Sequence, residues 1–397
     1  MPNRLSQPIK LKRPSLPSVR SSSGSRRSLP AIRRGPSNNR RTGRPLVGLD
    51  IEPGQIVAAQ VSVAGGLQIE RAVGMPLPPG VMRDGEVTDV DTLSAALAQL
   101  FESSGLDTRV RIGVANQRIV VRMLELPPIA DPKELATAVR FQAQDEIPMP
   151  LDSVVLDHHS LGVVDTPNGP RQQVVLVAAR RDMVERVLAA ARGAGLRPEG
   201  VDLSAFAMIR ALAPAGAISA ERVLYLSIGG LTNLAIAEGR VCRFTRVIGG
   251  GLDEIVGDVA ERCQVPLDRA RALIGEVSRV NPVVEDRDGE STGPGPDASD
   301  QQAMVQAAVT EGVNRIAAEV RNSLDFYSSQ GAQTDVGRAV LCGPAVDIPG
   351  FTDALGAAMR MPVSVGSVAQ INPEATGGVP ASRLIVAAGL AIEEATS

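Results

Sequence analysis

A chain of 397 residues exceeds what one hydrophobic core usually serves, so two or more lobes are expected. Hydrophobic residues make up 44% and aromatics only 2%, with no Trp, which points to aliphatic cores of sheets covered by helices. The net charge of -3 hides two unlike parts: residues 1–45 carry twelve basic residues and no acid, whereas the remainder has 29 basic against 44 acidic residues, a balance that argues against a nucleic-acid groove.

Residues 1–45 are rich in Ser, Arg and Pro and lack a core-forming pattern, so a disordered basic tail is expected. It reads as a solvated leader or as a contact for anionic lipid heads, with a nucleic-acid contact as the third option. Order begins with three apolar strands, Leu46–Ile51, Ile56–Val63 and Leu67–Met75, joined by tight turns into a meander. A helix follows, with Asp91 as the expected N-cap, an apolar stripe of Leu93, Leu97, Leu100 and Phe101, and Gly105 at its end. Strands at Val110–Ala115 and Ile119–Leu126 read as a pair joined at Asn116-Gln117. Asp131-Pro132-Lys133-Glu134 is a capping box with Pro at the first helical position, and Pro148-Met149-Pro150 stops that helix. Strands near Ser153–Leu161 and Val174–Ala179 follow, then a helix whose cap is read at Asp182.

The meander then returns. Arg222–Ile228, Asn233–Ala237 and Val241–Ile248, with turns at Gly229-Gly230-Leu231-Thr232 and Glu238-Gly239-Arg240, repeat residues 46–75 and set Ser227 opposite Asp50. An internal repeat of this kind predicts two similar lobes facing each other. Beyond it the pattern predicts a helix at Leu252–Gln264, another from Pro266, and a polar loop at 279–300. A long helix at Gln301–Ser329, a strand Ala339–Cys342 with a turn Gly343-Pro344-Ala345, a helix Gly350–Arg360, a strand Pro362–Gly366 and a final helix Arg383–Glu394 complete the chain.

Tight glycine turns meeting face to face can aim backbone N–H groups at one anion, and an Asp at a strand end can hold magnesium through water. Asp50, Gly54, Gly229, Gly230, Thr232, Asn233, Gly249, Gly250, Gly343, Pro344 and Ala345 are therefore the candidate nucleotide-binding residues, with Asp50 the candidate metal ligand. Gly249-Gly250-Gly251 before a helix reads equally well as an anion cradle or as an ordinary strand-to-helix turn. Cys242, Cys263 and Cys342 form no CxxC pair and read as small core residues. Asp145-Glu146 reads as a solvated helix end, and adjacent His158 and His159 in a strand point to opposite faces. With no apolar run of about 20 residues and no signal-peptide pattern, the chain is expected to be soluble and cytoplasmic.

Val47-Gly48-Leu49-Asp50-Ile51, Leu226–Asn233, Leu341–Ala345 with Ile348-Pro349-Gly350, and Ala387–Ala391 resemble the phosphate, adenosine and connecting motifs of actin-like ATPases. Leu126-Pro127-Pro128, Asp145–Asp152, Val177–Arg180, Ala194–Pro198 and Phe206-Ala207 are similar to the PilM family of type IV pilus assembly proteins. The resemblance implies an α/β, actin-like (ribonuclease H-like) fold of two lobes with an α+β subdomain inserted in the first. The expected boundaries are 46–107 and 195–221 for the first lobe, 108–194 for the insert, 222–370 for the second lobe and 371–397 for a helix returning to the first.

As for function, the resemblance implies an adaptor that binds the cytoplasmic N-terminal peptide of PilN, an inner-membrane protein, in a groove beside the insert, and through it joins PilO. Self-association is a further expectation. The family's first phosphate loop is Asp-Ile-Gly followed by small hydroxyl residues and a Lys; here those places hold Glu52, Pro53, Gly54, Gln55 and Val57, while Ser227 stands for an Asp and Ala270–Ile274 lacks the expected Lys. Hydrolysis of ATP is therefore not expected, and no cofactor is required, with ATP and magnesium as conceivable ligands. The alternatives are an actin-fold ATPase or nucleotide-gated switch, and a cell-division protein like FtsA. The acidic end Ile392–Ser397 is a poor membrane anchor for the last of these.

Overall fold

The computed structural model describes residues 45–213, 221–276, 296–329, 335–368, 370–371 and 373–393. The expectations for the basic tail before residue 45, for most of the 279–300 loop and for the last four residues lie outside them. The first three strands are β1 (Val47–Glu52), β2 (Gln55–Ser62) and β3 (Gln68–Pro76), paired antiparallel as a meander. β1 is buried at almost every position because both its faces are covered, although it carries Asp50 and Glu52.

A small hairpin, β4 (Met82–Arg83) with β5 (Glu86–Val87), leads to helix α1 (Val90–Ser104). Its N-cap is Asp89 rather than the expected Asp91. The Asp89 carboxylate accepts the Thr92 amide at 2.9 Å and the Thr92 hydroxyl at 2.7 Å, while Asp91 falls in the first turn. β6 (Arg109–Val114) does not form a hairpin with β7 (Val120–Leu126). It pairs in parallel with β1 instead.

Helix α2 (Pro132–Glu146) starts as its capping box predicts, the Asp131 carboxylate accepting the amides of Lys133 and Glu134 at 2.7 and 3.2 Å. The long hairpin of β8 (Val154–Thr166) and β9 (Gly169–Arg180) joins β7 in a three-stranded sheet of order β7-β9-β8. Leu135, Val139 and Ala143 of α2 pack on Leu124, Val174 and Leu176 to give this unit a core of its own. Helix α3 (Arg181–Gly193) follows, with Arg180 at its N-cap position and no side-chain cap; Asp182 sits inside the first turn and pairs with Arg180.

α3 packs on α1 in the first lobe's core, through Met183, Val187 and Ala190. The independent insert is thus β7, α2, β8 and β9, narrower than 108–194 at both ends. β1 claims the edge of β6, and α1 claims the apolar face of α3. β10 (Arg197–Leu203) and helix α4 (Ser204–Leu212) complete this half.

The second lobe repeats the plan with β11 (Arg222–Ile228), β12 (Thr232–Glu238) and β13 (Val241–Ile248). Helices α5 (Leu252–Cys263), α6 (Leu267–Gly275) and the 34-residue α7 (Pro296–Ser329) cover one face. Then come β14 (Val336–Cys342), α8 (Phe351–Met359) and β15 (Val363–Val365). β16 (Gln370–Ile371) returns to pair with β3, and helix α9 (Ile385–Ala391) packs on β1, β2 and α4.

The two large sheets run β10-β6-β1-β2-β3-β16 and β13-β12-β11-β14-β15. In each, the first strand of a meander has its antiparallel partners on one side and parallel strands on the other. The repeat legible in the sequence is therefore a repeat of topology. Between the sheets, α4 and α9 share a core with Val57 and Ile69 of one lobe and Tyr225, Ala235 and Cys342 of the other.

That helix pair fits because two positions lack a side chain. A Cβ on Gly48 would lie 1.9 Å from the Ala387 carbonyl oxygen, and one on Gly389 would lie 1.9 Å from that of Ala207. Arg111 then fastens the end of α9 by donating to the carbonyls of Leu390 and Ile392 at 3.2 and 2.8 Å, the last carbonyls that a helix leaves unpaired.

Candidate functional site

The turns of the two meanders meet at a cleft of about 460 Å³. On one side stand Glu52, Pro53 and Gly54 of the β1–β2 turn; on the other, Gly229 and Gly230 of the β11–β12 turn, with Pro344 and Asp347 beyond β14. The first turn is tight, with Glu52 paired to Gln55 and Gly54 at φ 87°, the left-handed region that suits glycine. The second is one residue longer, closing on the Ile228–Thr232 pair.

Four of the eleven candidate residues line this cleft: Gly54, Gly229, Gly230 and Pro344. Asp50 does not; it is buried at 5% exposure, and its Oδ1 lies 3.5 Å from where a Cβ on Gly113 would be. Thr232 and Asn233 are buried within β12, the Thr232 hydroxyl and the Asn233 amide oxygen having no hydrogen-bond partner among the described residues. Gly249 faces the Gln117 side chain and Gly250 faces Glu254, away from the cleft lining. Gly343 holds φ 89° against the backbone of Ile228, and Ala345 is core. Among the described residues no three His, Cys, Asp or Glu side chains come together as a metal cluster.

The chemistry of the cleft is set by residues outside that group. The Glu52 carboxylate lies against the second lobe: a Cβ added to Gly229 would meet its Oε2 at 2.0 Å. Pro53 and the Asp253 carboxylate stand in the same way over Gly230, each 2.8 Å from its Cβ position. Burial pushes Glu52 up to about 7; its Gln55 hydrogen bond opposes the shift, Asp253 adds to it and Arg383 opposes it. Asp50 is raised well above the ordinary carboxylate range, by burial first and by Glu52 second. Cys342, opposite Ser227 in the parallel pair β11–β14, is pushed up to about 12 by burial.

Two guanidinium groups complete the cleft. Arg271 of α6 lies over Gly54, 3.1 Å from its Cβ position, and pairs with Asp253 at 2.5 Å. Arg383 pairs with Asp347 at 2.7 Å and donates to Gln55 Oε1 at 3.5 Å. Both cations are engaged by carboxylates, and Pro53 has no amide to offer. This donor set does not fit a nucleoside triphosphate: carboxylates fill the space over both glycines, where backbone groups would meet phosphate. The sequence pattern flagged Glu52 as a departure but treated Arg271 only as part of a lost Lys motif, and it left Arg383 as a helix start. Their convergence depends on the lobe-to-lobe packing.

A second cavity, of about 530 Å³, lies between the insert and the first lobe. Val155, His159 and Val177 of the β8–β9 hairpin form one wall, and Val201, Phe206 and Arg210 of β10 and α4 form the other. Cys242 of β13 contributes from the second lobe, its thiol pushed up to about 12 by burial. Arg210 is held by Asp202 and donates to the Gly389 carbonyl at 3.1 Å, so this wall is braced by the helix pair that joins the lobes.

Two facing copies of one meander-plus-parallel sheet, with glycine turns meeting between them, define an actin-like protein. The chain is similar in structure to the "PilM-PilN type IV pilus biogenesis complex", with a TM-score of 0.71 at 23% identity, covering 87% of this chain and 97% of that one. It also resembles ethanolamine utilization protein EutJ from Carboxydothermus hydrogenoformans, with a TM-score of 0.50 at 14% identity over 87% and 88% of the two chains. The family model for type IV pilus assembly protein PilM matches residues 48–230. The match takes in the first lobe, the insert and the first strand and glycine turn of the second lobe.

Proposed function

We propose that the chain is a non-hydrolysing adaptor on the cytoplasmic face of a type IV pilus or related assembly platform, capturing the N-terminal peptide of a PilN-like inner-membrane protein. The observation that carries this reading is the cavity between the insert and the first lobe. Its volume is about 530 Å³, and it is apolar at Val155, Val177 and Phe206 and polar at Arg111, Asp157 and Arg240. The structural relative is itself described as a complex of PilM with PilN. Through its partner the chain reaches PilO, and the basic residues of 1–45 add attraction to anionic membrane. Among the described residues no helix is long and apolar enough to cross a membrane, so attachment through a partner suits it.

The test is fluorescence anisotropy with a labelled peptide from the N-terminus of the bitopic protein that co-purifies with the chain. Binding in the micromolar range is expected, weakened at least tenfold by Val155→Asp. Val155 is 39% exposed, so the substitution spares the fold. Unaltered binding in that variant would move the partner off this groove. For the non-hydrolysing part, phosphate release from ATP with magnesium should stay at the buffer rate.

A further inference from the structure

We infer that Glu52 is the resident occupant of the clamp, its carboxylate filling the place between the two glycine turns that a ligand phosphate would take. The geometry carries this. The Glu52 Oε2 stands where a Cβ on Gly229 would be, and Pro53 covers Gly230, so the first lobe's turn is seated directly on the second lobe's turn. Behind it, Gln55 Nε2 donates to Glu52 Oε2 at 3.5 Å, and Gln55 Oε1 accepts from Arg383, which Asp347 holds. On the far side Arg271 lies over Gly54 and is held by Asp253. Among the described residues the two guanidinium groups at the cleft are thus paired within the chain, and the Glu52 carboxylate is seated against the second lobe's turn.

The consequence concerns ligand choice. A phosphate-bearing ligand would have to displace the Glu52 side chain from the place between the turns, where Arg271 and Arg383 are already held by Asp253 and Asp347. The clamp therefore rejects phosphates, and the lobes stay joined without one. This inference rests on the cleft alone and is independent of the peptide groove.

The experiment is titration calorimetry of the full chain with ATP and magnesium, and separately with pyrophosphate. The natural chain, Glu52→Ala and Glu52→Gln are compared, each first shown to be folded by circular dichroism. Removing the side chain should tighten both ligands at least tenfold, whereas the isosteric Gln, still filling the place, should leave both as weak as in the natural chain. Equal affinity in the natural chain and Glu52→Ala would overturn the inference. Gln behaving like Ala would overturn it too, since charge rather than occupancy would then be the barrier. A second measurement reads the contact through stability. Gly229→Ala should lower the midpoint of thermal unfolding, and most of that loss should vanish in a Glu52→Ala background; strictly additive losses would show that the two residues do not meet. If Glu52→Ala does not fold, Glu52→Ser replaces it in both.

Discussion

The β1–β2 and β11–β12 turns occupy equivalent places in two copies of one sheet, yet they are built in opposite ways. The second-lobe turn keeps two consecutive glycines and is clasped by backbone: the Leu252 amide donates to the Gly229 carbonyl at 2.7 Å, and a Cβ on Gly251 would come within 2.6 Å of that same oxygen. The first-lobe turn carries Glu52 and Pro53 and is shaped by side chains that reach across the cleft. Strand pairing fixes where each turn lies, and it constrains very little of what the turn displays. One sheet plan can thus carry a backbone-clasped turn in one lobe and a side-chain-shaped turn in the other.

If the second-lobe turn is the fixed partner and the first-lobe turn the adjustable one, what lies behind Gly229 should stay sealed. Cys342 reports on this, being fully buried beside Ser227 with its thiol pushed up to about 12. At pH 8 the thiolate fraction at such a value is on the order of a thousandfold below that of an ordinary cysteine. Alkylation of Cys342, followed by peptide mass spectrometry, should be slower in the native chain by at least that factor than after denaturation. Rapid native labelling would mean that the second-lobe turn opens.

The next effect in size is Gly251→Ala. Its methyl group would meet the carbonyl oxygens of Gly229 and Gly230 at 2.6 and 2.8 Å, and neither can swing away as a side chain could. A loss of about 3 kcal/mol in chemical denaturation is expected. Gly54→Ala, whose nearest atoms belong to the flexible Arg271, should cost about 1 kcal/mol, mostly for its left-handed backbone. A reversed order would break the contrast between the backbone-clasped and the side-chain-shaped turn.

These contrasts were only partly legible in the sequence. The repeated meander was visible because the apolar runs and glycine turns are local and recur about 177 positions apart, and the Asp131 cap because its partners lie two and three residues away. The Asp89 cap was missed because Asp91 fits the same pattern, and only the Thr92 contacts decide between them. β6 was placed in the insert because its pairing with β1 spans some sixty residues and leaves no local mark. Within the site, Glu52 was recognisable as a charge out of place. That it touches Gly229, and that Arg271 and Arg383 flank it, follows from how α4 and α9 seat one lobe on the other.

The smallest effect separates a ligand role from a structural one at Thr232. In the sequence this residue ends the glycine turn and reads as a nucleotide contact; in the fold it is fully buried, its hydroxyl without a partner among the described residues. An unpartnered buried hydroxyl costs free energy, and Val replaces Thr with nearly the same shape. Thr232→Val should therefore stabilise the chain by about 1 kcal/mol in urea unfolding while leaving peptide binding in the groove unchanged. A loss of stability of similar size would mean that the hydroxyl finds a partner in solution. Such a partner at this position would have to reach it through the second-lobe turn, which would make that turn, rather than Glu52, the adjustable half of the clamp.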